Sequence, residues 1–112
     1  MSTDQSFADH VLDQVAGAGP VSVRKMFGEY ALYCDGKVVA LICDNQVYLK
    51  PLPEVLAMVD APVFGPPYPG AKPHLVLTDA LDDADLMARL VRTAAAVLPA
   101  PKPKKAKAAK KL

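Results

Sequence analysis

Apolar positions between Arg24 and Lys50 follow a strand pattern, broken twice by short polar pairs. Tyr30-Ala31-Leu32-Tyr33-Cys34 runs into Asp35-Gly36, a strong hairpin signal because glycine tolerates the positive φ that a type I′ turn requires. Val38 to Cys43 is the return strand, rich in β-branched residues that suit a pleated surface. Asp44-Asn45 is a second turn, Gln46 to Lys50 runs back, and Pro51 and Pro53 stop the pairing. A two-residue loop at Asp35-Gly36 sets Cys34 opposite Lys37, Leu32 opposite Val39 and Tyr30 opposite Leu41. One face then carries Tyr30, Leu32, Val39, Leu41 and Tyr48; the other carries Ala31, Tyr33, Val38, Ala40, Ile42, Val47 and Leu49. Both faces are apolar, so one is expected under helices and the other under a loop or a second subunit.

Around this meander the spacing changes to helical. Residues 4–16 place Phe7, Val11 and Val15 on one stripe, with Thr3 expected as the N-cap. Residues 21–27 form the first strand, residues 53–59 a short second helix, and residues 74–78 the last strand. Between those last two lies a proline-rich loop, residues 61–73, whose Phe64 and Tyr68 are expected to plug onto the sheet. In the closing helix Asp82 is the expected N-cap, with Leu81 and Leu86 as a hydrophobic staple and Leu90, Val91, Ala94 and Val97 continuing the stripe. The fold class is therefore α+β: a two-layer sandwich with a single antiparallel sheet of about five strands and helices mainly on one face. Residues 1–98 make one domain, and residues 99–112 a Lys/Ala/Pro-rich tail too poor in bulky apolar groups to order itself.

Charge adds a division that periodicity does not show. The chain has 13 Lys+Arg and 12 Asp+Glu, yet six of the lysines lie in the tail, at Lys102, Lys104, Lys105, Lys107, Lys110 and Lys111. The remaining body is acidic, near −5. Arg24 and Lys25 are its one adjacent cationic pair, read as charges that protect an edge strand or as contacts for a polyanion. No run of about 18 apolar residues or signal-peptide pattern is visible, which gives an expectation of a cytoplasmic protein without a membrane partner. Cys34 and Cys43 fall at opposite ends of one hairpin, on the order of 20 Å apart, which predicts free thiols. Gly65-x4-Gly70-Ala71-Lys72 lacks the Lys-Ser/Thr run of a phosphate loop, and prolines remove the donors such a loop needs. No catalytic set, cofactor motif or metal-ligand spacing is found, so the expectation is a protein that is not an enzyme and has neither cofactor nor metal.

The run R-K-M-F-G-x-Y-A-L-Y-x-D-G-K-x-x-A-L-I-x-D-x-x-x-Y-L-K at residues 24–50 resembles the signature of the TfoX N-terminal domain family. That resemblance extends from about Val15 to Leu98. It implies a two-layer α/β arrangement similar to secretion chaperones. It also implies a link to regulation of natural competence, where such regulators act with the cyclic-AMP receptor protein at promoters.

These readings give a regulatory or binding module whose tail lysines, with Arg24 and Lys25, contact DNA without sequence preference. Its further expected partner is a transcription-regulator protein. One alternative is a homodimeric interaction module joined through a sheet face, with no nucleic-acid role. Another is a small-ligand protein or enzyme built around Tyr33, Arg24 and the 62–73 loop.

Overall fold

The computed structural model describes residues 3–26, 28–77 and 80–99. The tail lysines at 102–111 lie outside them. In chain order the elements are α1 (Gln5–Gln14), β1 (Val21–Met26), β2 (Glu29–Cys34), β3 (Lys37–Cys43), β4 (Gln46–Leu49), α2 (Pro53–Leu56), β5 (Phe64–Gly65), β6 (His74–Val76) and α3 (Ala84–Val97). The strands form one antiparallel sheet in the order β1-β2-β3-β4-β6-β5. It has six strands rather than about five, because Phe64 and Gly65 inside the proline-rich loop pair with β6.

Both central hairpins close as the turn residues dictate. Asp35 and Gly36 have φ of 56° and 78°, and Asp44 and Asn45 have 52° and 57°. Positive φ at both central positions is the type I′ geometry whose twist matches that of paired strands.

The β2–β3 register departs from expectation one residue beyond the turn. Cys34 opposes Lys37 and Tyr33 opposes Val38, as a two-residue loop requires, but Leu32 then opposes Ala40. Val39 is an extra, bulged residue. The bulge exchanges the faces of everything after it, so Tyr30 opposes Ile42 and Ala31 opposes Leu41. Ala40, Ile42, Val47 and Leu49 therefore join Tyr30 and Leu32 in the core, while Leu41 and Tyr48 turn to the other face. Val39 and Ala40 are both fully buried, in one cluster with Ala94 of α3. The small Ala40 stands opposite Leu32, where the expected register would have set Val39, and Ile42 stands opposite Tyr30 in place of Leu41.

Ala8, Val11 and Val15 from the N-terminal segment, Val55 from α2, and Met87, Leu90, Val91 and Ala94 from α3 complete the core on that one side. Each fully buried Leu, Val or Met side chain there contributes roughly 1.5–3 kcal/mol. Side chains then fasten the layers. Gln14 Nε2 donates to Leu81 O at 2.6 Å, Lys37 Nζ to Ala95 O at 2.6 Å, and an Arg92 guanidinium nitrogen to Gly17 O at 2.9 Å.

Two helix caps sit one residue later than expected. Asp83 is the N-cap of α3, accepting from Leu86 N at 3.1 Å, so Asp82 lies outside the helix and the Leu81–Leu86 staple is not formed. Asp4 precedes α1 without a side-chain cap bond, because Thr3 is buried and used elsewhere. Its hydroxyl donates to Glu29 Oε1 at 2.6 Å and accepts from Asn45 N at 3.2 Å. Among the described residues no helix is long and apolar enough to cross a membrane.

Candidate functional site

The sheet face turned away from the helices is where side chains remain for other use. Pairing places Ser22, Arg24 and Met26 of β1 on it, with Glu29 and Tyr33 of β2, Leu41 and Cys43 of β3, and Tyr48 of β4. The proline-rich loop covers part of this face. Pro67 is buried, whereas Phe64 and Tyr68 stay about half exposed, 48% and 56%. Cover thus comes from a rigid proline ring with no N–H to satisfy, not from the two expected aromatic plugs.

Two hollows border this face, one on it and one wrapping the end of the sheet toward α3, and they differ in charge. The larger, about 900 Å³, lies under the loop at the end where β3 turns into β4. Met26, Leu41, Tyr48 and the run Pro66 to Pro69 make its apolar wall, with Glu29, Cys43 and Asp44 at its polar side. Burial pushes the Cys43 thiol up to about 11, and the carboxylates of Glu29 and Asp44 push the same way. Burial also raises the Tyr48 phenol, with Cys43, Asp44 and Glu29 adding to it. These shifts keep both groups protonated at neutral pH, the reverse of what a nucleophile needs.

The second hollow, about 630 Å³, lies at the opposite end, around the β2–β3 turn. Its wall is Ser22, Arg24, Tyr33, Gly36, Lys37, Val38 and Lys50 from the sheet, with Leu98 and Pro99 beyond α3. The Arg24 guanidinium lies over the Tyr33 ring, 5.8 Å from its centre, within cation–π range. No carboxylate belongs to this wall.

The structure separates the two cations that the sequence pairs. Arg24 opposes Ala31 on the open face, and Lys25 opposes Tyr30 on the helix-side face. Adjacent strand residues point opposite ways, so within the strand Arg24 and Lys25 lie on different faces. Lys37 and Lys50 join Arg24 in their place. Sequence reading missed both, although the Asp35-Gly36 turn already sets Lys37 at this end of the sheet. Cys34 and Cys43 are free and buried on opposite faces. His10 is exposed on α1, and no group of three His, Cys, Asp or Glu among the described residues is placed to hold a metal.

The chain is 49% identical over 107 residues to an uncharacterized 12.7 kDa protein of the trpE 5′ region in Spirochaeta aurantia, covering 96% of this chain and 93% of that protein. The family model of the TfoX N-terminal domain matches residues 13–98. That match spans the sheet, the loop and α3, and the chain belongs to the TfoX N-terminal domain family.

Proposed function

We propose that this protein is a non-enzymatic regulatory module of the TfoX type, held to nucleic acid without sequence preference by its basic tail. Family membership supports the regulatory reading, including DNA-linked regulation of the competence type alongside a transcription-regulator protein. The observation that carries the nucleic-acid reading is the charge division: six of 13 cationic residues lie beyond Pro101, joined to a body in which acids outnumber bases. Lysines neutralise phosphates by charge, and phosphate contacts carry no sequence information. The non-enzymatic reading is supported by the larger hollow, whose thiol and phenol are tuned away from reactivity. Anisotropy of a labelled duplex, titrated at several salt concentrations, tests this reading. The full chain should lose affinity steeply with salt; replacing all six tail lysines by Gln should weaken binding and flatten that dependence. Unchanged affinity in the six-lysine variant would sink the proposal.

A second reading has its own observation. Met26 and Tyr68 are 39% and 56% exposed and line the apolar hollow, which favours a homodimer formed through that end of the sheet face. Sedimentation at high concentration should then show a dimer that a Met26→Ser, Tyr68→Ser variant dissociates. A monomer throughout argues against it.

A further inference from the structure

We propose that the hollow around the β2–β3 turn is a phosphate-binding anchor on the folded body, seating the backbone of the same nucleic acid that the tail engages. This inference rests on the nucleic-acid reading above and assigns it a site that the tail does not provide. Three observations carry it. First, the body has only seven Lys and Arg against 12 Asp and Glu, yet three of those cations, Arg24, Lys37 and Lys50, share one wall that contains no carboxylate. In an acidic body such a cluster is an electropositive patch, and a low-dielectric wall focuses its field. Asp35 stands in the adjoining turn but is not part of the wall.

Second, two of the three cations are tethered and not merely near each other. Arg24 is fixed over the Tyr33 ring at 5.8 Å. Lys37 spends one N–H on Ala95 O at 2.6 Å, which locks its ammonium at the rim with further protons free to donate. Among the described residues no ion pair neutralises Arg24 or Lys50. An arginine fork beside two ammonium groups suits a tetrahedral oxyanion, and a half-buried tyrosine ring next to them suits a sugar or base.

Third, Pro99 lines this hollow, and the lysines of the tail begin three residues later. A fully extended stretch of that length spans about 10 Å, so the first tail lysine and the hollow reach neighbouring phosphates on one strand. The opposite hollow, walled by Glu29 and Asp44, would repel the same ligand.

The test uses the full chain throughout. Arg24→Gln with Lys50→Gln removes two cations from the hollow; Lys25→Gln with Arg89→Gln removes two from exposed positions outside it, Lys25 on the opposite sheet face and Arg89 on α3. Binding of a labelled duplex should fall about tenfold in the first pair, with the salt slope lowered by roughly two, and change less than about twofold in the second. Equal losses in both pairs would reduce the effect to net charge and overturn the site. The six-lysine tail variant, run in parallel, reports on the tail independently, so either region can fail alone. Should the first pair fold poorly, amide shift mapping on the unmodified chain decides the matter. Duplex should perturb Arg24, Tyr33, Lys37 and Lys50; perturbation confined to other residues counts against the site. Inorganic phosphate at millimolar concentration, if it moved those amides where duplex did not, would replace the nucleic acid by a free anion and overturn the proposal.

Discussion

Individual residues already show how much a local reading omits. Glu29 seems a surface acid at the start of a strand, but its Oε1 accepts from the Thr3 hydroxyl at 2.6 Å and from Asp44 N at 3.0 Å. With Thr3 N on Gly28 O at 3.2 Å and Asp4 N on Asn45 Oδ1 at 3.0 Å, it ties the N-terminal segment to two turns. Glu29→Ala should therefore destabilise the fold by about 1 kcal/mol in urea unfolding, since it removes two hydrogen bonds but leaves the Thr3 hydroxyl Ile42 O at 3.3 Å and the exposed Asp44 amide water. Hydrogen exchange at Asp44 should accelerate in the same variant. Cys43 gives a pH prediction. Its thiol titrates near 11 in the fold, raised by burial and then by Glu29 and Asp44, against an ordinary 9.0. Between those values the folded chain retains a proton that the unfolded chain has lost. Stability is thus complete below about pH 9 and declines as pH rises toward 11. Urea midpoints measured across that range should fall, and should fall less in Cys43→Ala; Cys34 and Tyr48, also raised, account for what decline remains.

At the scale of elements, starts follow local chemistry to within a residue, while ends fall short of expectation, α1 closing at Gln14, α2 at Leu56 and β6 at Val76. α3 is a case in point. Asp82 and Asp83 are equally good caps by type, and the sequence gives no ground for choosing between them. Asp83 wins because the preceding 3₁₀ turn over Ala80–Asp82 buries Leu81, which fixes where the helix can begin. Asp83→Ala should cost about 1 kcal/mol by thermal or urea unfolding, and Asp82→Ala less than about 0.5 kcal/mol. The β2–β3 register was less legible for a related reason. Alternation specifies register when one face is apolar and the other polar. Residues 38–43 are apolar on both, so either register buries comparable surface. The Val39 bulge is decided across the sheet, where Ala40 meets Leu49 and the helix layer, and no window on β3 alone contains that information. Both two-residue turns, in contrast, were readable because their backbone conformation depends on the turn residues themselves.

Over the whole molecule, charge and topology act together. On the proposed reading, the acidic body repels polyanions except where its cations gather. Duplex affinity should accordingly fall linearly on a log–log plot against salt, with the full chain steeper than the six-lysine variant and that variant steeper than one also lacking Arg24 and Lys50. Residual slope in the six-lysine variant measures the body's own share. The family signature and the hairpin turns lie in contiguous residues, as does the split between acidic body and basic tail, so the amino-acid sequence by itself determined them. Strand alternation within residues 21–26 likewise parted Arg24 from Lys25. The grouping of Arg24 with Lys37, Lys50 and Pro99 belongs to the tertiary structure. Pairing brings distant positions side by side, and the bulged Val39 decides which face the residues beyond it, Lys50 among them, present.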